Sequence, residues 1–276
     1  MQIGLLTGAF GGGKSFEEIA TWAAQAGFQA LEVTGGPRGH IKPQDVLADD
    51  GRAVKRVLKE TGLRISSFAF YEGFNRGDGP EAYAKRMSEI IRAAEVLGVD
   101  TVCTFAGFAS PGKSKAQTLR EEAPRVFEPL AKDAQPRGVR IAFENWFETN
   151  LQNLDHFAAA MQALPQANIG FNFDPSHLHW QGIDVVAAVN EFGSRILHTH
   201  AKDVTINQQK LRRLGILEWY NTWQYSIPGY GDVPWGEYLR ALRQVKFDGV
   251  LSIEHEDGAF GVEEGFERGL RFLRTL

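Results

Sequence analysis

The sequence predicts an α/β protein folded as a single closed (β/α)8 TIM barrel over residues 1–276. Three observations carry that expectation. Short β-rich runs alternate with helical patterns at a spacing of roughly 30–40 residues, the mark of repeated βα units. Gly27, Gly62, Gly98 and Gly138 each fall between a helical pattern and the next β-rich run, where a helix-ending glycine belongs. No Pro/Ser-rich linker or charge block divides the chain, and 276 residues is an ordinary length for one such barrel. An open doubly wound sheet is the alternative arrangement of the same units.

In chain order, strands are expected over 3–8, 30–34, 64–70, 101–106, 140–146, 168–174, 196–202 and 249–256, each a short run rich in Val, Ile, Phe and Leu. Helical spacing of apolar residues marks 15–26, 43–60, 81–97, 115–135, 153–164, 183–191, 234–245 and 262–275. The connection 203–233 is long and carries Trp219, Tyr220, Trp223 and Tyr225. Long connections in compact domains are usually functional, and these aromatics suit a cover over a site or an oligomer interface.

Composition excludes several classes. A net charge of −4 gives no basic footprint for nucleic acid. The single cysteine, Cys103, rules out an internal disulfide and suits a reducing compartment, where it reads as a small core residue. The start lacks a basic leader, and no apolar run approaches the ~18 residues of a membrane span. A cytoplasmic protein with no membrane partner is therefore expected.

Four residues with metal-ligand chemistry close four of the later runs. Glu144 ends Arg-Ile-Ala-Phe-Glu, Asp174 ends Ile-Gly-Phe-Asn-Phe-Asp, His200 lies in Ile-Leu-His-Thr-His, and Glu254 follows Val-Leu-Ser-Ile. Parallel strands of a barrel place their C-terminal ends on one rim. Period-two alternation puts Ala142, Glu144 and Trp146 on one face, with Gly170, Asn172 and Asp174, then His198, His200 and Lys202, then Ser252, Glu254 and Glu256. Ile141, Phe143, Phe171, Phe173, Leu197 and Ile253 take the opposite faces, under the helices. Three carboxylates and an imidazole converging on one rim call for a divalent cation, because burying like charges together is costly.

The segments Glu144-Asn145, Asp174-Pro175-Ser176-His177, His198-Thr199-His200-Ala201-Lys202-Asp203, Pro228-Gly229-Tyr230-Gly231 and Ile253-Glu254-His255-Glu256-Asp257 resemble those of the sugar phosphate isomerase/epimerase branch of the xylose-isomerase-like barrels. The resemblance implies one divalent ion held by Glu144, Asp174, His200 and Glu254, a small-molecule sugar substrate, and is compatible with a homodimer. Relatives in that branch include ketose 3-epimerases, inosose dehydratases, keto-sugar isomerases, enzymes that cleave 3-keto-glycosides, and DNA-repair endonucleases. The endonuclease pattern needs further histidines at early strand ends. Leu-Glu-Val-Thr and Val-Cys-Thr-Phe-Ala have none, nor does Gly-Tyr-Gly-Asp after the seventh run.

Hard oxygen donors with one histidine suit Mn²⁺, Mg²⁺ or Co²⁺, and Zn²⁺ is also compatible. Such an ion would polarise a sugar carbonyl, with Glu144 and Glu254 as the acid/base pair that moves a proton at the adjacent carbon. Isomerisation or epimerisation follows; elimination from a keto-inositol or 3-keto-glycoside is the alternative. His177 and Lys202 are expected to contact substrate, the latter set against a rim salt bridge with Asp203. Glu72 and Asn75, after the third strand, are expected to contact hydroxyls. His198 reads as a hydrogen-bonded core histidine, and Glu256 as a competitor of Glu254. Gly8 to Ser15 match the phosphate-loop pattern G-x-x-x-x-G-K-[ST], but an NTPase would leave Glu144, His200 and Glu254 without a role. The loop reads instead as a flexible first connection, or as a contact for a substrate phosphate or hydroxyl. A barrel that keeps its metal for structure, or serves as a non-catalytic subunit, is the non-enzymatic alternative.

Overall fold

The computed structural model describes the backbone of residues 1–276 and every side chain except that of Trp219, so one aromatic of the long connection lies outside the described residues. Ten strands form: β1 Gln2–Leu6, β2 Ala30–Thr34, β3 Arg64–Phe70, β4 Thr101–Thr104, β5 Arg140–Glu144, β6 Ile169–Phe173, β7 Ile196–Ala201, β8 Asp203–Ile206, β9 Trp223–Ser226 and β10 Val250–Ile253. Eight of them close a barrel in the order β1-β10-β7-β6-β5-β4-β3-β2. Every pairing in it is parallel. The expected closed barrel is what the chain adopts, not the open sheet.

Alternation along each strand explains the two layers. Phe143, Phe171 and Phe173 point outward and are fully or almost fully buried under the helices. The Phe143 ring lies 4.6 Å from Phe127 of helix Ala123–Ala134, and Phe171 lies 4.5 Å from Phe157 of helix Leu154–Ala163. Burying one such ring stabilises the fold by roughly 1.5–3 kcal/mol. At position 170 only glycine fits, since a Cβ there would meet the Arg195 carbonyl oxygen of the neighbouring segment at 2.2 Å. Gly27 and Gly98 end their helices in the left-handed region, at φ 93° and 69°, as their place in the sequence predicts.

Three expectations need correction. The pattern over 43–60 is two helices, Pro43–Asp49 and Arg52–Thr61, because Asp50 and Gly51 both turn left-handed between them. The pattern over 115–135 is likewise split at Glu122 into Lys115–Glu121 and Ala123–Ala134, where Pro124 opens the second helix without an N–H to donate. The connection 203–233 is not a plain loop. It leaves the barrel as an antiparallel hairpin, β8 against β9, bridged by helix Gln208–Leu214 and a 3-10 segment Ile216–Asn221.

Asp203 anchors that hairpin. Its buried carboxylate accepts hydrogen bonds from the Gly229, Gly231 and Val233 amides at 3.0–3.1 Å and from Trp235 Nε1 at 2.8 Å. One carboxylate thus stitches the return path to the start of helix Trp235–Gln244. Among the described residues, no helix is long and apolar enough to cross a membrane.

Candidate active site

Glu144 ends β5, Asp174 follows β6, His200 lies near the end of β7 and Glu254 follows β10. Parallel register carries all four to one rim, and one ligand atom from each lies within 4.8 Å of the others. The structure thus brings together the four residues that the sequence pattern grouped. His200 Nδ1 stands 3.0 Å from Glu254 Oε2, 3.2 Å from Glu144 Oε1 and 3.7 Å from Asp174 Oδ2. Those contacts are close but misaligned for hydrogen bonding, and both His200 Nδ1 and Asp174 Oδ2 are buried without a hydrogen-bond partner. Orphaned ligand atoms that converge from three carboxylates and one imidazole fit a divalent cation.

Local chain geometry aims the two orphaned atoms. Asp174 caps helix Pro175–His179 with one oxygen only: Oδ1 accepts from Ser176 N at 2.8 Å and Ser176 Oγ at 2.7 Å, which leaves Oδ2 facing the cluster. The Asn145 amide, next to Glu144, donates to the Asp174 carbonyl and accepts from the Asp174 N–H, both at 2.8 Å. That pair of bonds fixes β5 and β6 in register at the rim.

His200 is oriented from below by two residues that sequence reasoning missed. Glu32 of β2, fully buried, lies 3.1 Å from His200 Nε2, and Tyr71 lies 3.0 Å from the same nitrogen. The Tyr71 hydroxyl donates to Glu32 Oε1 at 2.5 Å. A carboxylate on Nε2 holds the tautomer that leaves Nδ1 free for a ligand. A signal was present: Glu32 is the only charged residue of Ala-Leu-Glu-Val-Thr and takes the inward phase with Ala30.

The charge balance of the cluster follows from these contacts. Burial would raise the Glu32 carboxyl, but His200 and His198 outweigh it and hold its pKa at about 2. Burial works against charge on His200, yet Glu32, Glu254 and Glu144 keep it well above the ordinary imidazole range. Asp174 sits well below its ordinary value, because Lys202 and His177 overcome the effect of burial. His198, one layer deeper, is pushed down to about 4 mainly by burial. It hydrogen-bonds Asn172 Oδ1 at 3.0 Å and Ser66 Oγ at 3.2 Å, as a core histidine would.

Lys202 turns into the site, and Asp203, engaged with the donors of the returning chain, is not its partner. Its buried Nζ lies 2.7 Å from Glu254, 3.0 Å from Glu256, 3.2 Å from Asp174 and 3.2 Å from His177 Nε2. Burial opposes its charge, but those carboxylates raise its pKa well above the usual value. His177 contacts the Tyr225 hydroxyl at 2.9 Å through Nδ1, so β9 of the hairpin reaches the site. Glu256 meets Lys202 and stands outside the four-residue cluster.

The remaining expected residues separate. Glu72 lies on the wall of the mouth, paired with Arg86 at 2.9 Å. Asn75 is not brought to the site, since its amide is used on Phe108 O, Phe108 N and Ser110 Oγ and fixes the loop after β4. The glycine segment Thr7–Gly13 folds as a 3-10 turn, and Lys14 pairs with Glu263 instead of facing a phosphate cradle. Ser15 caps helix Phe16–Ala26 in a box with Glu18. Cys103 is buried, as expected, and groups loosely with Glu32 and His198. Hydrogen bonds already engage those two partners, so this second grouping has no orphaned donor to offer.

The chain belongs to the xylose isomerase-like TIM barrel family, whose model matches residues 20–276. The inosose dehydratase of Mesomycoplasma hyopneumoniae is 24% identical, over 96% of this chain and 90% of that protein. Among solved structures, the probable 3-DHS dehydratase AsbF of Bacillus anthracis superimposes with a TM-score of 0.79, at 19% identity, covering 99% of each chain. The IolI protein with a bound zinc atom gives 0.76 at 16% identity, over 100% of this chain and 97% of that one. A D-psicose 3-epimerase gives 0.75 at 15% identity, over 100% and 99%. Members of the family are enzymes: epimerases, isomerases and dehydratases.

Proposed function

We propose that this protein is a metal-dependent isomerase or epimerase that moves a proton at the carbon next to the carbonyl of a keto-sugar or sugar derivative. The observation that carries the reading is the convergence of Glu144, Asp174, His200 and Glu254, with His200 Nδ1 and Asp174 Oδ2 buried and without a hydrogen-bond partner. These four residues would hold one divalent ion, which when bound polarises a carbonyl and acidifies the neighbouring C–H. The zinc in the IolI neighbour supports a metal at this rim, while the donor set alone suits Mn²⁺, Mg²⁺ or Co²⁺ as well.

Glu144 and Glu254 stand on non-adjacent strands of the rim, so each can reach a substrate carbon from its own side and accept or return a proton. Lys202 lies 2.7 Å from Glu254 Oε2 and offers a buried cation to a sugar oxygen. His177, braced by Tyr225, faces the same space and can bind a hydroxyl. The partner is therefore a small-molecule sugar.

The Lys202–His177 contact also favours a second reading. A buried cation 3.2 Å from an imidazole, itself braced by a tyrosine, can supply a proton to a departing hydroxyl. Proton removal would then end in loss of water, in keeping with the dehydratase relative. Glu144→Gln and Glu254→Gln test the shared first step, since an amide keeps an oxygen in place but cannot take the proton. Each should lower turnover at least ~10²-fold while part of the metal is retained. Near-normal turnover by both variants would end the proposal. Product mass separates the outcomes: an unchanged mass supports isomerisation or epimerisation, and loss of one water supports dehydration.

A further inference from the structure

The barrel mouth does not stop at the ligand cluster. Over β1–β4 it opens into a cavity of about 1010 Å³. Tyr71 joins the two spaces, since it lines the cavity while its hydroxyl touches His200. Trp146, two residues past Glu144, lines the cavity as well and is only half-buried. Clefts of about 300–1,000 Å³ hold drug-sized ligands, so this space exceeds the need of one hexose ring at the cluster.

An aromatic wall runs from the cluster outward. Tyr71 lies 5.2 Å from Phe105, and Phe105 lies 5.4 Å from Trp146, with the ring planes tilted by 37° and 33°. Phe108 then meets Trp146 edge-on at 6.0 Å. Charged residues of the lining balance: Arg38, Arg76 and Arg86 stand against Glu72, Asp78 and Glu148. Burial lowers the pKa of His40, and its nitrogens are already engaged with Thr34, Thr7 and Gly11. A phosphate would want a net positive well. A neutral polyol wants an apolar ring face beside donors and acceptors of both signs, and this cavity supplies both.

We propose that the cavity is a second sugar subsite, and that the substrate is a glycoside or disaccharide whose reacting ring sits at the cluster while its second ring stacks on Trp146. The inference rests on the proton-transfer reading for the identity of the reacting ring. It also gives the glycine segment a use: Gly8, Gly11 and Gly12 line the cavity, and at Gly11 and Gly12 an added Cβ would meet nothing within 4 Å, so the backbone there is open to a ring.

The test uses Mg²⁺-loaded protein labelled with ¹⁵N-tryptophan, its Trp146 signal assigned by loss in Trp146→Phe. Fructose is compared with disaccharides that carry a fructose unit: isomaltulose, turanose and leucrose. At least one disaccharide should bind about tenfold more tightly than fructose, a difference of one ring's contact, and should shift the Trp146 indole signal. In Trp146→Ala the advantage should shrink to within about twofold, with metal content as in the wild type. The inference is overturned if no disaccharide moves Trp146, if none binds more tightly than fructose, or if the advantage survives Trp146→Ala. Failure of the reaction reads differently. A disaccharide that engages Trp146 but takes up no deuterium from D₂O, with normal turnover in both glutamine variants, removes the reaction and leaves the subsite. Deuterium entering a monosaccharide without a Trp146 response does the reverse.

Discussion

At the residue scale, two of the four cluster side chains are half-satisfied, with one atom committed to the fold and one to the cluster. Asp174 caps a helix with Oδ1 and presents Oδ2; His200 binds Glu32 and Tyr71 with Nε2 and presents Nδ1. Glu32 would therefore act on a bound metal only through His200. Glu32→Ala should weaken metal binding by about 10–100-fold, the usual cost of losing such a partner, and Glu32→Gln should restore most of it by again accepting the Nε2 proton. Isothermal titration with Mn²⁺ checks this, and an unchanged affinity in Glu32→Ala would contradict it. The four cluster residues were legible in the sequence because each closes an apolar run in the same phase. Tyr71 was not, and Glu32 showed only as a lone inward charge on β2, since their role depends on β2 and the segment after β3 coming to face β7 across the barrel, a long-range relation that no local pattern states. Asn75 looked polar and well placed, but its amide matches the backbone of the loop after β4 better than it matches open solvent.

At the scale of elements, the hairpin β8–β9 is the departure from a plain barrel. Its short strands, separated by a helix and a 3-10 segment, carry no alternation long enough to distinguish from loop, which is why 203–233 read as one long connection. Asp203 holds it through four donors from the returning chain. Asp203→Ala would leave those N–H groups buried and unpaired, at about 1–3 kcal/mol of stability. It should also loosen Tyr225 from His177, so thermal unfolding should shift downward and Tyr225 should become more accessible to nitration. Wild-type unfolding in that variant would show that the latch is inert. The glycine segment after β1 makes the opposite point. Its phosphate-loop pattern is complete in sequence, yet Lys14 is paired with Glu263 and Ser15 is spent on capping. Lys14→Ala should leave metal uptake unchanged, and the wild type should show no micromolar ATP affinity in a direct binding assay.

At the scale of the whole molecule, the barrel mouth divides into two halves. β5, β6, β7 and β10 supply the cluster, and β1–β4 supply the open cavity. The barrel interior between them is polar, which makes stability depend on pH in a definable way. Glu32 is held down to about 2 in the fold, against about 4.3 for a free glutamate. A depressed carboxyl contributes stability above its unfolded pKa and loses it as pH falls through the folded value. His198, pushed down to about 4 from about 6.5, adds the same sign of effect over the window above. Metal-free protein should therefore weaken as pH drops from about 6.5 to 4, and further toward 2. In Glu32→Gln the lower part of that loss should flatten, as measured by denaturant midpoints across pH; an unchanged slope would contradict the assignment.

The most direct test of the central claim is metal stoichiometry by elemental analysis after loading with Mn²⁺ and gel filtration. The wild type should carry one ion per chain. His200→Ala and Asp174→Ala should carry none while their circular dichroism keeps the barrel signature. Full metal content in either variant, or none in the loaded wild type, would show that Glu144, Asp174, His200 and Glu254 are not a metal site.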